Sequence, residues 1–589
     1  MSSLKDLASL IMIPSLYKDG ELHTVKPLAD ENVIIHPDAT DNNDGVDGST
    51  PTTSSNFTFS RGSNLAPTRV ASSSYIEKGR ENLLLQSNQF DTTWSIGVGI
   101  TRTSGQSGYD GSSDAWLISK TGGFAYLYQS VSQSGVFTFS AYMKAGSLNW
   151  GRLQVIDGGN NPRAFFDLQN GVLGTRLSDI NSSIEAVGNG WYRCSIVVNS
   201  SATQVRIYPA DADADVSGTS GSIYIQDAQL EQGLVATDYI ETGTSAAQSG
   251  ILEDMPRLDY SGGASCPALL LEPQRTNVLT HSEYFGGWGQ INTLNTANAL
   301  ISPEGVQNAN KLIAASGVNN NVINQQISAG TYTASVFAKK GEFEGLFIGS
   351  GPTGAFFNLN TYAYRTHYQS APTSYKIEDY GNGWHRYSIT FTISGNDSLY
   401  IGPNDNVSNT LGVTGNNSNG IYIFGATLEQ GSYPTSYIPT YGTSQTRSNE
   451  SASVLNLDTN NIVGDTQWSF LAEFDVDGNA PSTDKIRLTN ATNMPRVYLY
   501  NDAAGFAGGW GGAMTAGQNR VKVLWRLNTL RSADIFAVGA KQVSVTAQPS
   551  DLIVDRLLLN GNQGTFKLYN ITIFPTALTD SECIALTTL

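Results

Sequence analysis

Residues 184–198 read IEAVGNGWYRCSIVV, and residues 377–391 read IEDYGNGWHRYSITF. Six identities recur at a constant spacing of 193 positions, so that Gly188, Asn189, Gly190, Trp191, Arg193 and Ser195 return as Gly381, Asn382, Gly383, Trp384, Arg386 and Ser388. Further on, IYIQDAQLEQG (223–233) returns as IYIFGATLEQG (421–431), 198 positions later. A spacing that drifts by so few residues indicates one folding unit present twice.

The rest of each unit has the pattern of short antiparallel strands. FTFSAYMKAG (137–146) matches YTASVFAKKG (332–341), and AFFDL (164–168) matches AFFNL (355–359). In the first of these, apolar residues alternate with polar ones, which is typical of a half-buried strand. Asn-Gly tolerates positive φ, so GNGW predicts a tight turn followed by a strand. Because no helical periodicity interrupts these strands, each unit is predicted to be a β-sandwich of jelly-roll type.

The start of each unit also recurs. Glu77, Arg80 and Asn82 match Glu272, Arg275 and Asn277, each 195 positions later. Each triplet lies at the end of a strand–turn–strand pattern, so we predict that its arginine and glutamate pair across strands in a structural role. Trp191 and Trp384 occupy the same strand start in both copies, which favours packing in the core over exposure to a ligand.

Composition narrows the functional classes. The chain has 589 residues, 14% of them charged, with a net charge of −17. This acidity argues against nucleic-acid binding and against anionic membrane surfaces. It is typical of a soluble surface, with cation binding as the alternative. Three scattered cysteines form no disulfide framework and no zinc motif, and Cys194 is expected to be buried.

The quoted elements, together with ENLLLQSNQFDTTW (81–94) and the opening SLKDLASLIMIPSLYKDG, resemble the carbohydrate-binding-module-like jelly rolls of virion proteins from tailed bacteriophages. The resemblance implies a virion protein assembled in the host cytoplasm, a head or tail location, and other virion proteins (capsid, portal or tail) as partners. It also implies a homo-oligomer, with a trimer as the expectation, and a host-surface glycan as a further partner. It implies no cofactor.

Residues 445–589 differ from the two units. WSFLAEFDVDG (468–478) alternates strictly, and the chain ends in a strand, Pro575 and a short helix that Thr579 and Glu582 start with a capping box. This resembles concanavalin A-like or laminin-G-like lectin sandwiches. The fold prediction is therefore all-β, with four regions: an N-terminal anchor segment (1–60), two homologous jelly rolls with leading hairpins (61–245 and 246–444), and a C-terminal concanavalin A-like sandwich (445–589).

The N-terminal segment is predicted to begin with a short amphipathic helix over residues 1–15. Leu4, Leu7 and Ile11 fall on one face. A helix of this length is marginal alone, so it must pack on its own protein or dock onto a virion partner. A polar stretch follows, in which Asp38, Asp41, Asp44 and Asp47 recur every third residue. It predicts an exposed linker, with a calcium loop at Asp41, Asp44 and Asp47 as the alternative.

One strand suggests an enzyme. Glu473-Phe474-Asp475-Val476-Asp477 resembles the catalytic ExDxE strand of concanavalin-like glucanases, which implies Glu473 as nucleophile, Asp475 as its modulator and Asp477 as the acid. Residues four apart on a regular strand are about 13 Å apart, whereas retaining glycosidases need about 5.5 Å. We therefore predict an exposed acidic strand face, with no catalytic residue and no enzymatic activity.

Sugar binding requires exposed aromatic rings beside polar groups. Trp510 has small neighbours in GFAGGWGGAM, so it is either an open ring or a packed loop anchor. Tyr362, Tyr364 and Tyr368 cluster in TYAYRTHYQ, and the first unit has GVLGTRLSD instead. These four residues are the candidate glycan-binding residues.

Three functional hypotheses follow. The first is a non-enzymatic phage fibre or adhesin that docks on the particle by its N-terminus and presents its sandwiches to host glycans, with the terminal domain facing the host. The second is a purely structural capsid or tail decoration or adaptor protein. The third is a glycan-degrading tailspike.

Overall fold

The fold is described from a computed structural model of the chain. It describes residues 8, 10–12, 17–18, 21–22, 58–62, 65–218, 220–263, 267–407, 409–455, 463, 466–476, 485–490, 495–499, 504–506, 520–529, 532–546, 554–560 and 564–588. The strands before the first unit are β1 (Leu10–Met12), β2 (Tyr17–Lys18), β3 (Glu21–Leu22), β4 (Thr58–Ser60), β5 (Thr68–Val70) and β6 (Ile76–Lys78). β2 pairs with β3, and β5 with β6, as antiparallel hairpins.

The first jelly roll, here called module 1, forms one strongly bent antiparallel sheet of ten strands in the order β14-β13-β12-β16-β11-β17-β10-β9, with β15 on β16 and β8 on β11. A separate two-stranded ladder of β7 and β18 closes the module. The strands are β7 (Arg80–Asn82), β8 (Ser95–Ile96), β9 (Ile100–Gln106), β10 (Ala115–Lys120), β11 (Leu127–Ala145), β12 (Trp150–Ile156), β13 (Arg163–Asp167), β14 (Val172–Leu177), β15 (Asn181–Gly188), β16 (Trp191–Ala210), β17 (Gly221–Gln232) and β18 (Ala247–Ser249).

A hairpin of β19 (Arg257–Asp259) and β20 (Ala268–Leu271) leads into the second jelly roll, module 2. Module 2 has one sheet in the order β23-β24-β35-β27-β32-β31, with β21 and β36 attached, and another in the order β22-β26-β33-β28-β29-β30. A further pair joins β25 to β34. The strands are β21 (Arg275–Asn277), β22 (Gly289–Ile291), β23 (Thr293–Leu300), β24 (Ala309–Ala314), β25 (Gly317–Asn320), β26 (Val322–Ile327), β27 (Gly330–Lys339), β28 (Gly345–Ser350), β29 (Thr353–Asn358), β30 (Ala363–His367), β31 (Ser374–Asp379), β32 (His385–Ile393), β33 (Asp397–Asn404), β34 (Gly412–Gly415), β35 (Gly420–Gln430) and β36 (Gln445–Arg447).

The two modules share one topology. The long β11 and β16 of module 1 correspond to the pairs β26–β27 and β32–β33 of module 2, where short breaks separate the two sheets. The irregularities also match. The β11–β17 pairing of module 1 and the β27–β35 pairing of module 2 each shift register at a β-bulge, and Asp227 and Gly425 have positive φ at these bulges. A shared bulge at equivalent positions is a feature that duplicated units retain.

The terminal sandwich is the third unit. Its sheets run β19-β20-β46-β38-β42-β43-β44 and β4-β37-β45-β39-β40-β41. Its own strands are β37 (Ser451–Val454), β38 (Trp468–Val476), β39 (Ile486–Thr489), β40 (Pro495–Leu499), β41 (Ala504–Phe506), β42 (Val521–Thr529), β43 (Ser532–Ala537), β44 (Ala540–Thr546), β45 (Arg556–Asn560) and β46 (Phe566–Phe574), followed by α1 (Asp580–Thr587). The predicted capping box is present, because the Thr579 hydroxyl accepts from the Glu582 amide and the Glu582 carboxylate accepts from the Thr579 amide.

Three segments from earlier in the chain complete this sandwich. β4 pairs with β37, β20 pairs with one half of β46, and β1 pairs with the other half. Phe59, Leu269 and Leu271 lie in the same buried core as Trp468 and Trp525. The sheets therefore cross the domain boundaries predicted from the sequence at residues 61 and 246. Long-range strand pairing places β4 and the β19–β20 hairpin in the sheets of the terminal sandwich.

The prediction of an N-terminal helix is wrong for the described part of that segment. Leu10–Met12 is a strand whose backbone pairs with Ile571–Ile573, and Ala8 is buried against Leu471 and Leu578. An open strand edge offers unpaired backbone groups, and pairing with it satisfies more hydrogen bonds than an isolated short helix can retain. Ile11 lies in this strand, whereas Leu4 and Leu7 lie outside the described residues.

The all-β prediction is confirmed, as are the tight turns. Asn189 and Asn382 have φ of 53° and 52°, and each turn leads into β16 or β32. Trp191 and Trp384 are buried, at 1% and 2% exposure. The polar face of β11 is less exposed than its alternation predicted, because the module's C-terminal tail covers it and Thr138 donates to the Gly233 carbonyl.

Candidate functional site

Many residues that recur between the copies form a polar framework that closes each module. The side chains of Asn82 and Asn277 are fully buried and bridge β7 to β17 and β21 to β35, respectively. The Asn82 amide donates to the carbonyls of Ala228 and Ile240, and its oxygen accepts from the backbone amides of Leu84 and Leu230. The Asn277 amide donates to the carbonyls of Ala426 and Ile438, and its oxygen accepts from the backbone amides of Leu279 and Leu428. All hydrogen-bonding capacity of both side chains is used.

The LEQG motif has an equivalent role. Glu231 accepts from the amide and hydroxyl of Thr237, and Glu429 accepts from the same two groups of Thr435 at 2.7 and 2.6 Å. The buried carboxylate therefore fixes the turn that follows β17 in module 1 and β35 in module 2. The recurring residues with these contacts support the fold and leave no reactive group open to a substrate.

A buried lysine connects the β5–β6 hairpin to module 2. The Lys78 ammonium lies 2.8 Å from Glu283 and 2.7 Å from Glu304, and it donates to the Tyr441 hydroxyl at 2.6 Å. Burial alone would lower the pKa of Lys78, but the two carboxylates outweigh burial and raise that pKa. Beside this contact the modules touch closely, because a Cβ on Gly135 would lie only 1.7 Å from the Tyr441 carbonyl oxygen.

A second charged cluster joins module 2 to the terminal sandwich. Arg257 contacts both Glu272 and Glu450, Arg61 lies 3.1 Å from Glu450, and Arg447 lies 2.9 Å from Glu272, with all five side chains at most 2% exposed. Burial alone would raise the pKa of Glu272, but Arg447 and Arg257 hold it far below its usual range. Such networks fix geometry, since removing one partner leaves a buried charge.

This cluster corrects the predicted pairing of Arg80 with Glu77 and Arg275 with Glu272. Glu77 pairs instead with Arg69 across the β5–β6 hairpin, at 2.7 Å. Arg275 lies 3.7 Å from Glu429. The recurring glutamate is therefore paired with an arginine earlier in its own hairpin, because antiparallel register brings residues on either side of the turn together.

The acidic strand is less open than predicted. Glu473 is 9% exposed and accepts from Arg520 Nε at 2.6 Å, while Asp475 lines a cleft described below. Asp477 lies outside the described residues. The outer side of this sheet is partly covered, because Leu471 packs with Leu578 and other residues around α1.

Module 2 carries an aromatic surface that module 1 lacks. Tyr362 is 43% exposed, has a φ of 55°, and stacks on His385 with ring centroids 3.8 Å apart. Positive φ is unfavourable for a bulky residue, and such strain clusters at functional positions. The equivalent position in module 1 is Gly171, also at positive φ, and a Cβ there would lie 2.6 Å from the Tyr192 ring. Tyr192 is the counterpart of His385. Module 1 therefore has glycine at the first position and tyrosine at the second, whereas module 2 has tyrosine at the first position and histidine at the second.

A second ring pair lies beside the first. Tyr364 stacks on the 51% exposed Tyr375 across the open edge between β30 and β31, at 4.4 Å. Phe357 packs beneath it and contacts Tyr387, which in turn contacts His385. We call Tyr362, Tyr364, Tyr375 and His385 the module 2 platform. The Tyr387 hydroxyl and His385 Nδ1 are buried and have no hydrogen-bond partner among the described residues.

The platform includes only part of the predicted tyrosine cluster. Tyr368 lies on the opposite face of the sheet, against Phe347 and Phe356, because a register shift in the β29–β30 pairing reverses the alternation. Tyr375 and His385 were missed because they come from β31 and β32, and no sequence spacing links them to β30. Trp510 lies outside the described residues and stays a prediction.

A polar cleft of about 430 Å³ separates module 2 from the terminal sandwich. Its walls carry five carboxylates and three cations: Asp259, Glu272, Glu378, Asp379 and Asp475, with Lys376, Arg386 and Lys567. Lys567 pairs with Asp259 at 2.8 Å, and Lys376 with Glu378 at 3.0 Å. Burial would raise the pKa of Glu378, but Lys376 and Arg386 lower it, so this carboxyl is ionised at neutral pH.

Module 1 contains one titratable group without a counterpart in module 2. Asp227, at the shared bulge, is 5% exposed and accepts from the Tyr109 hydroxyl at 3.0 Å. Burial, with smaller contributions from Asp114 and Asp110, raises its pKa to about 7. Gly425 stands at this position in module 2, so the acid is not required by the fold.

The described residues contain no group of three or more His, Cys, Asp or Glu side chains placed to hold a metal ion. Asp41, Asp44 and Asp47 lie outside them. Among the described residues, no helix has the length and apolar character that a membrane crossing requires.

Comparisons with known proteins identify no family for this chain. No protein-family model matches the sequence, and no curated protein matches it. Among solved structures, the chain is similar to a mutant of Trypanosoma rangeli sialidase displaying trans-sialidase activity, with 8% sequence identity over 89% of this chain and 97% of that one. The TM-score is 0.19, so this likeness supports no argument about fold or activity.

Proposed function

We propose that this chain is a non-enzymatic surface protein of a tailed-phage virion that binds host-surface glycans through the module 2 platform. The sequence resemblance supports the virion setting. The exchange between Gly171–Tyr192 and Tyr362–His385 carries the binding proposal, because it leaves one strained tyrosine partly exposed in module 2 only. Exposed aromatic faces beside polar groups are what pyranose rings stack against. Asn360 and Lys340, which hydrogen-bond to each other at 2.6 Å, supply polar groups nearby.

The strand pairing suggests an orientation on the particle. β1 hydrogen-bonds to β46, so the described part of the N-terminal segment lies on the terminal sandwich. In this proposal both belong to the particle side, and the modules project toward the host. This reverses the arrangement expected from the sequence, in which the terminal domain faced the host.

The proposal includes no glycan cleavage. Glu473 accepts a hydrogen bond from Arg520 Nε at 2.6 Å, so its carboxylate is already engaged in an ion pair. The second candidate is a purely structural decoration or adaptor protein, which the two buried ionic clusters between units favour because they make a stiff assembly.

An array of bacterial surface glycans tests the proposal on the full chain. The double variant Tyr362→Gly/His385→Tyr gives module 2 the arrangement already present in module 1, so it is expected to fold and to lose glycan binding at least tenfold. Phe124→Gly is the matched control, because Phe124 is 68% exposed at a φ of 57° and lies in module 1. The glycan-binding proposal would be contradicted if the wild-type protein bound no glycan, or if the double variant bound as tightly as wild type. The decoration or adaptor role would then remain.

A further inference from the structure

The cleft between module 2 and the terminal sandwich lies outside the platform to which glycan binding has been assigned. Its lining comes from the β31–β32 region and residues 434–436 of module 2, from the β19–β20 hairpin, and from β38 and the start of β46 in the terminal sandwich. Its volume of about 430 Å³ falls in the range of small-molecule sites, which form preferentially at domain interfaces. Long-range pairing creates it, so no local motif could predict it.

The chemistry of its walls suits a polyhydroxylated ligand. Carboxylates that accept hydrogen bonds stand beside ammonium and guanidinium groups that donate them, as in Lys567 beside Asp259 and Lys376 beside Glu378. A sugar hydroxyl donates one hydrogen bond and accepts others, so such mixed pairs can bind it from both sides. The side chains of Lys376, Glu378 and Lys567 are 45%, 29% and 27% exposed.

The cleft is continuous with the platform through one strand. On β31, Tyr375 belongs to the platform, whereas Lys376 and Glu378, on the opposite face, line the cleft. Asp379 touches both, because it lines the cleft and its Oδ1 lies 3.7 Å from His385 Nε2. Its side chain is 71% exposed, at the rim between the two surfaces.

We propose that the cleft is a second subsite of the same glycan-binding surface, and that the ligand is an extended oligosaccharide that stacks on the platform and continues past Asp379 into the cleft. This inference rests on the proposed function. It assigns a role to Asp475, which projects from the acidic strand into the cleft and serves as a hydrogen-bond acceptor for the sugar. Affinity should therefore rise with ligand length beyond what the platform alone provides.

The test uses the full chain and an array on which each glycan is printed as a size-graded series from monosaccharide to octasaccharide. Lys376→Gln/Glu378→Gln removes the two opposite charges of one pair, and with them its charge-assisted hydrogen bonds, without changing net charge. Lys311→Gln/Glu342→Gln is the control, because that pair is 2.9 Å apart in the same module and neither residue lines the cleft. In a glycan series that the wild-type protein binds, we expect the cleft variant to bind the longest oligosaccharides five- to tenfold more weakly than wild type does. It should bind the shortest members of that series as tightly as wild type.

Each result decides between the two proposals. If the cleft variant binds long members as wild type does, or loses short and long members equally, the cleft is not a subsite and the platform proposal stands. If the wild-type protein binds long oligosaccharides no more tightly than short ones, the proposal of an extended oligosaccharide ligand is wrong. If wild type retains no glycan at all, both proposals fail.

Discussion

Asn82 and Asn277 make the same four backbone hydrogen bonds, 195 residues apart, and they bridge β7 to β17 and β21 to β35, respectively. Each side chain is fully buried. A single side chain thus satisfies two carbonyls and two amides that would otherwise be buried without partners. This explains why asparagine recurs at the start of both modules, where aspartate would lack the two donors.

Asn277→Ala should destabilise module 2 by about 3 kcal/mol or more, because four buried backbone groups lose their partner. Thermal unfolding followed by calorimetry measures the loss. Asn82→Ala should produce a similar loss in module 1. Asn396→Ala is the control, since Asn396 is exposed between β32 and β33, and its effect should stay within about 0.5 kcal/mol. Equal effects of Asn277→Ala and Asn396→Ala would contradict the assigned role.

Asp227→Asn should change the pH dependence of stability. The folded-state pKa of Asp227 is about 7, above the unfolded value near 3.8, so the folded chain holds a proton that the unfolded chain has released between these values. Its contribution to stability is complete below pH 3.8, falls as pH rises, and is lost above pH 7. Asparagine keeps an acceptor for Tyr109 without titrating. We expect the variant to match wild type at pH 4 and to exceed it by roughly 2–4 kcal/mol at pH 8.

Unfolding by urea at several pH values checks this prediction. The readout should be a probe specific to module 1, because the other units titrate independently. A parallel pH profile for wild type and Asp227→Asn would contradict the raised pKa.

Lys78→Met should destabilise the contact between the β5–β6 hairpin and module 2. It leaves Glu283 and Glu304 buried without their cation, a change that typically costs about 3–5 kcal/mol. The triple variant Lys78→Met/Glu283→Gln/Glu304→Gln removes all three charges and should recover most of this loss. Calorimetry of the single and triple variants gives the comparison. A triple variant less stable than the single one would contradict the ion-pair account.

Gly171→Tyr should destabilise module 1, because its Cβ would collide with the Tyr192 ring. Adding Tyr192→His recreates the arrangement of module 2 and should restore part of the stability. The coupling free energy from the double-mutant cycle should be about 1–3 kcal/mol. Additive effects would show that the two positions do not constrain each other.

Deletion of residues 1–12 should weaken the terminal sandwich and leave both modules folded. The deletion removes the strand that covers half of the β46 edge and the Ala8 contact. Proteolysis should then cut first within residues 445–589, and gel filtration should reveal association through the open edge. The control replaces residues 2–7, which precede the described strand, with a Gly/Ser sequence of equal length. Unchanged proteolysis of the deletion would contradict the role of β1.

The sequence predicted what local pattern and repetition encode. The duplicated modules, the Asn-Gly turns at Asn189 and Asn382, and the capping box at Thr579 follow from residues near one another in the chain. The β1 strand could not be predicted, since Leu10–Met12 becomes a strand only through pairing with Ile571–Ile573. The same holds for the platform. Tyr362 and Tyr364 were identified, but their stacking partners Tyr375 and His385 depend on how the two sheet edges meet.

The pairing of β1 with β46 has a consequence for how the chain is made. Leu10 leaves the ribosome early, but its partner Ile573 is translated more than 500 residues later, which at typical synthesis rates is on the order of half a minute to two minutes. Both modules have time to fold in this interval, while the first strand must wait, unpaired, in a crowded cell. The terminal sandwich thus joins segments that are translated far apart, and a product truncated before β46 would carry finished modules and an incomplete sandwich with an open sheet edge.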